Sequence, residues 1–413
     1  MQNLAIFGAG KIGKETKKLV EEKYSNEYKL VCFVDNDPAK QGTTIEDTPV
    51  ISAEKLLELY GRDINCVAIA LSSYHVIATF LFQQKIIPIH IRPTGIYPVE
   101  MKPKKVALDA STLCQLNCKT CYMRKNNFGT MGKGYLKFSD FRNFIYNNKF
   151  IEDIELANSG EIFLNPDLIS ILKYASENNI TLHANGGVNF NSVSDKIIEA
   201  LVKYRFKSMF IAIDGASQET YSLYRINGNF NVVIQNIKKL NDYKEKYNSQ
   251  FPELFWQYII MEHNENDIIK AKTMAKELKM QIHFKLTWDP GYIPKNAEML
   301  KKETGLKQLN REDLFKNTGK LYGFERCYQL WTSPQINWDG RLLGCCSVFT
   351  DDFGVNVFEI GLENAINSEN YMYAQKMLIG QVGVPENAKN LPCANCGFYK
   401  TMMQAGIYLH TIY

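Results

Sequence analysis

This 413-residue chain has no run of about 18 uncharged apolar residues, so no helix able to span a membrane is expected. It also lacks a basic block. Positive charges are scattered, no run exceeds Lys-Lys with its neighbours, and the net charge is only +4. That argues against a nucleic-acid or membrane partner. Internal repeats and low-complexity stretches are absent. The opening Met1-Gln2-Asn3 runs straight into an apolar strand and a glycine loop. No signal peptide is expected, and the compartment expected is the cytoplasm.

Cysteine, by contrast, is plentiful. There are ten, and a disulfide framework is not expected of a cytoplasmic chain this long. Eight fall into groups: Cys114, Cys118 and Cys121, then Cys327, Cys345, Cys346, Cys393 and Cys396. Cys32 and Cys66 sit inside apolar strand-like runs and read as small buried hydrophobes. Apolar residues make up 45% of the chain, ample for real cores, and the length suggests about three domains.

Residues 1–98 alternate strand, glycine turn and helix. Leu4–Phe7, Lys29–Val34 and Cys66–Leu71 read as strands of a doubly wound parallel sheet. Residues 97–105, with two prolines and charge, read as a linker. Over 104–320 the alternation resumes with a longer period. Strands are expected at 106–110, 154–157, 180–184, 209–213, 254–261 and 281–287, with helices between. Six such units suggest a partial (β/α)6 TIM barrel, whose chemistry would lie on loops after the strands. From 321 to 413 the periodicity breaks, and a small domain held by metal fits better than one held by a core. The fold class expected is therefore α/β.

Cys114-x-x-x-Cys118-x-x-Cys121 lies on the loop after the first barrel strand, followed by Tyr122. Three thiolates can hold one corner each of a four-iron cluster and leave the fourth iron open. An incomplete zinc site would also present three thiols, but no His or fourth Cys lies nearby to complete it.

The CxxxCxxC motif and its aromatic resemble the radical S-adenosylmethionine (radical SAM) superfamily. The resemblance implies a 4Fe-4S cluster whose open iron binds S-adenosylmethionine, yielding a 5′-deoxyadenosyl radical. Later motifs extend it over residues 104–290. Asn158-Ser159-Gly160-Glu161 is similar to the family's Gly-Gly-Glu, which implies that Glu161 holds the methionyl ammonium. Asn185 and Asp214 stand where the family places cofactor contacts, although Ala212 replaces a serine there. Glu219-Thr220-Tyr221, Arg225 and Gly228 match a stretch associated with members that carry auxiliary clusters. Arg225 suits a carboxylate, or forms a surface salt bridge. In Met261–Asp267 the resemblance implies that Asn264 faces the cofactor.

Cys327, Cys345, Cys393 and Cys396 are a second thiol set, with Asp339-Gly340 placed to turn a hairpin between the first two. A zinc ribbon has similar spacing. After a radical SAM core the segment resembles the twitch or SPASM auxiliary domain in its four-cysteine form, implying a second 4Fe-4S cluster. Cys346 is either a structural thiol or a hydrogen donor beside that cluster. Cys346, Arg225 and Lys285 are the candidate catalytic residues.

Gly8-x-Gly10-x-x-Gly13 follows a strand, and Asp35 ends the next, as in dinucleotide-binding folds. The segment resembles the Rossmann-like, nucleotide-sugar-binding N-terminal domain of bacterial sugar acyltransferases. That implies a nucleotide-activated sugar as ligand, with NAD the second choice and a purely structural domain the third. The resulting expectation is a radical oxidoreductase acting on a hydroxylated, sugar-like small molecule, with a flavodoxin- or ferredoxin-type electron donor. An epimerase, a peptide or protein maturase and a non-enzymatic iron–sulfur regulator are the alternatives.

Overall fold

The computed structural model describes residues 1–413 except 73, 85, 87, 100–101, 122, 124–130, 289–290, 320, 324–326, 348–350, 379–381 and 405–413. Tyr122 thus lies outside the described residues. The chain divides into two compact units. One comprises residues 1–102 with two short C-terminal pieces, the other residues 103–374 and 386–398. No described helix is long and apolar enough to cross a membrane.

In the first unit, β1 (Gln2–Phe7) pairs in parallel with β2 (Tyr28–Val34) and β5 (Cys66–Ile69). β4 (Thr48–Ile51) extends the sheet beyond β2, and β6 (Ile89–Arg92) extends it beyond β5. Two short antiparallel strands, β3 (Thr44–Ile45) and β7 (Gly95–Pro98), close the edges. Tyr97 and Pro98, expected in a linker, therefore belong to the sheet. Both faces of β1 are covered, which is why it reads as an unbroken apolar run. Leu4 and Ile6 join Val20 and Phe33 on one side; Ala5 and Phe7 join Leu56 and Leu81 on the other. The strand order reverses between β1 and β5, the place where such sheets open a crevice.

In the second unit six parallel strands follow in chain order: β8 (Lys105–Leu108), β9 (Asp153–Glu155), β10 (Thr181–Val188), β11 (Ser208–Ala212), β12 (Glu253–Ile260) and β13 (Gln281–Leu286). This is the expected partial barrel. Helices cross over between them, cut to length by their caps. Asn229 accepts the Val232 N–H at the start of helix Phe230–Lys246, and Lys244 and Lys246 close its last turn. Phe230, Val233, Ile237 and Leu240 form its buried stripe.

β10 runs to Val188, past the expected end at 184. A Cβ on Gly186 would fall 1.6 Å from the Ala157 carbonyl, so only glycine lets the strand continue against β9. The C-terminal segment also extends this sheet. β14 (Gln335–Ile336) pairs in parallel with β8, and β15 (Leu342–Gly344) pairs antiparallel with β14.

Candidate active site

The loop after β8 carries Cys114, Cys118 and Cys121, all half-buried. Its return is fixed by Thr112, which gives its backbone N–H to the Gly134 carbonyl and its hydroxyl to the Gly132 carbonyl, each at 3.0 Å. Asn165 donates to the Ala110 and Leu136 carbonyls. Met123, Met131 and Leu343 form a small buried cluster, and Cys121 packs against it. The first cysteine loop therefore rests on β15, two residues before Cys345.

The loop after β9 crosses the cysteine loop. A Cβ on Gly160 would sit 2.4 Å from the Ser111 carbonyl, so this crossing requires glycine. Ser159 donates its N–H and hydroxyl to Asp109, at 3.1 and 3.3 Å. Next to it Glu161 is buried, with 1% exposure. Its carboxylate accepts the Asn189 N–H at 2.6 Å, and burial pushes its pKa up to about 7 against those backbone bonds and the charge of Arg225. Glu161 in turn acts on the thiol of Cys114, whose pKa burial raises to about 11. A buried carboxylate beside a thiol loop is suited to a cation.

Arg225 donates its Nε to Asp214 at 2.6 Å and its Nη1 to the Cys118 sulfur at 3.5 Å. Asp214, fully buried, also accepts the Ile259 N–H. Asn264 is engaged on both ends, donating to the Asp214 and Ile259 carbonyls and accepting the Met261 N–H. Asn185 is likewise bonded to Ser208 and His183. The structure thus gathers Cys114, Cys118, Glu161, Asp214 and Arg225, and holds Asn185 and Asn264 in bonds within the protein. Lys285 donates to Gln257 at 2.5 Å.

Two further residues escape sequence reasoning. Asp109 is fully buried at the end of β8, with its pKa pushed up to about 7 by burial despite bonds from Gln335 and Ser159. Asn189 reaches Cys114 with its amide at 3.6 Å while its backbone holds Glu161. A carboxylate interrupting the run Val106–Ala110 was the available signal for the first.

The second thiol set converges too. The Cys393 pKa is raised well above its ordinary value by burial and then by Cys345, Cys396 and Cys327, so these four thiols share one neighbourhood. The Asp339-Gly340 turn forms as expected, with Gly340 at φ +90°. Cys346 gives its backbone N–H to Gln329 at 3.0 Å. Among the described residues no three His, Cys, Asp or Glu side chains converge tightly enough for a single ion. Thiol-only donor sets of three and four fit iron–sulfur clusters.

In the first unit Gly8 and Gly13 are demanded by the backbone. Gly8 has φ +113°, and a Cβ on Gly13 would lie 2.0 Å from the Gly8 carbonyl. Gly10 is different: it is extended, and nothing lies within 4 Å of its Cβ position. Asp35 accepts the Ala9 N–H at 2.9 Å and the Lys40 ammonium at 3.0 Å.

Among solved structures, SuiB from Streptococcus suis bound to S-adenosylmethionine is 15% identical, matching 73% of this chain and 72% of SuiB at a TM-score of 0.50. SuiB bound to the precursor peptide SuiA matches 73% and 71%, at 14% identity and the same score. The likeness is one of fold, and it agrees with the radical SAM resemblance read from the sequence. No protein-family model and no curated protein matches the chain. The three thiols and Glu161 lie on the loops that follow β8 and β9, at the carboxyl ends of the parallel strands.

Proposed function

We propose that the chain is a radical SAM oxidoreductase acting on a hydroxylated, sugar-like substrate carried in nucleotide-activated form. The observation that carries this reading is the buried Glu161 carboxylate beside Cys114, on the loop that crosses the three-thiol loop. A four-iron cluster with S-adenosylmethionine supplies, when bound, a carbon radical able to take a hydrogen atom from carbon. Cys114, Cys118 and Cys121 would hold three of its irons. Glu161 would receive the methionyl ammonium, whose charge returns the carboxyl to its ordinary range.

Oxidising an alcohol to a ketone removes one hydrogen as an atom and one as a proton, and leaves one electron. Cys327, Cys345, Cys393 and Cys396 would hold the auxiliary cluster that takes that electron, which favours oxidation over epimerisation. A flavodoxin- or ferredoxin-type donor would supply the priming electron. Gly10 supports the nucleotide part of the reading: the fold does not need glycine there, whereas a pyrophosphate approaching the backbone does.

The second reading is peptide or protein maturation, favoured by the likeness to SuiB, which was solved with a precursor peptide. The doubly wound N-terminal sheet, in place of a peptide-clasping winged helix, supports the first. Anaerobic reconstitution should load about eight iron and eight sulfide per chain, from two four-iron clusters. With dithionite and S-adenosylmethionine the protein should then form 5′-deoxyadenosine. Stoichiometric zinc at the four C-terminal thiols, or no deoxyadenosine from iron-loaded protein, defeats the reading.

A further inference from the structure

We propose that Arg225 tunes the first cluster, its guanidinium donating a hydrogen bond to the Cys118 thiolate and making the cluster easier to reduce. The inference rests on the reading that Cys114, Cys118 and Cys121 hold iron.

The side chain is placed by its own turn. Helix Gln218–Tyr224 ends at Arg225, whose N–H closes on the Tyr221 carbonyl at 2.9 Å. A Cβ on Gly228 would collide with the Tyr221 ring and, at 2.8 Å, with the Arg225 carbonyl. The spacing of Tyr221, Arg225 and Gly228 therefore builds a tight turn that directs one guanidinium inward. That guanidinium is 13% exposed and lies over the Tyr224 ring at 4.9 Å.

Two edges of the fork do different things. Nε donates to the fully buried Asp214 at 2.6 Å, an ion pair that anchors the group. Nη1 faces sulfur, at 3.5 Å from Cys118. An arginine there remains charged at every working pH, unlike a lysine or histidine. Hydrogen bonds and positive charge at cluster sulfurs stabilise the reduced, more negative state. Asp214 opposes that effect, so the two residues bias the cluster in opposite directions.

The test is a redox titration of reconstituted full-length protein followed by electron paramagnetic resonance, with S-adenosylmethionine added to mark the first cluster's signal. Arg225→Gln should lower the equilibrium constant for one-electron reduction by about tenfold, a shift of about 59 mV to lower potential. Asp214→Asn should shift it the other way, and Arg225→Lys should recover part of the loss. Arg225→Gln protein that keeps its iron and an unchanged midpoint overturns the proposal. If that variant cannot hold iron, Asp214→Asn decides alone: a raised midpoint supports the proposal and an unchanged one overturns it. Wild-type protein that binds no iron at the three cysteines removes the underlying reading and this inference with it. A normal cluster indifferent to both substitutions removes only the inference.

Discussion

Gln335 donates its amide to the Asp109 carboxylate at 2.7 Å, joining residues 226 positions apart in the chain. Both side chains are fully buried, and Asp109 also accepts from the Ser159 N–H and hydroxyl. One contact thus connects the C-terminal hairpin, the first barrel strand and the loop that carries Glu161. Gln335→Ala should cost about 1–3 kcal/mol, the penalty of leaving a buried acceptor short of a partner. Urea denaturation of the purified protein checks it; an unchanged midpoint would show that Asp109 finds another donor.

Glu161→Ala should weaken S-adenosylmethionine binding without removing iron. A charge-assisted hydrogen bond of this kind contributes roughly 1.5–3 kcal/mol, about ten- to a hundredfold in affinity. Isothermal titration of reconstituted variant and parent gives the ratio. Equal affinities would leave the carboxylate without its proposed partner.

Gly10→Val should leave the fold intact, since the added side chain enters open space. Bound UDP-N-acetylglucosamine, used as a probe, should stabilise the parent to heat and fail to stabilise the variant. Turnover of the true substrate should fall with it, while uncoupled cleavage of S-adenosylmethionine persists. A variant that still makes product would mean that no pyrophosphate approaches this loop.

His183 sets a pH dependence. Its ring lies between Asp153 and Glu155, each at 2.6 Å, with Lys105 beside Asp153 and Asn185 beside the ring. Burial alone would lower its pKa; the two carboxylates prevail and raise it from 6.5 to about 8. The folded state therefore binds this proton more tightly than the unfolded chain. The resulting stability, about 2 kcal/mol, is fully present below pH about 6.5 and is lost as pH rises through about 8. Unfolding free energies measured between pH 6 and 9 should show the decline, and His183→Gln should flatten it. A decline of equal size in the variant would assign it to other groups.

Much of this architecture was readable beforehand because it depends on local pattern. The apolar run of β1 is covered on both faces, β8 and β11 are buried along most of their length, and the cysteine groups show as spacings of a few residues. What stayed hidden depends on distant partners. Asp109 and Gln335 are ordinary polar residues until β14 settles beside β8. Asn185 and Asn189 lie four residues apart, and only the continuation of β10 through Gly186 and Gly187 shows that the second one faces Cys114. Asp214 and Arg225 were both expected to meet a ligand, yet 11 residues apart they bond each other. Their shared preference for opposite charge is satisfied inside the protein.

The pairing of β8 with β14 also sets an order of events during synthesis. The ribosome completes all six barrel strands, β8 to β13, before it makes β14. Until then β8 keeps an unpaired edge, a template for wrong strand pairing. Met131 likewise lacks Leu343, and the first cysteine loop lacks its floor. The loop that comes earliest in the barrel thus gains its floor only once a nearly finished polypeptide has emerged.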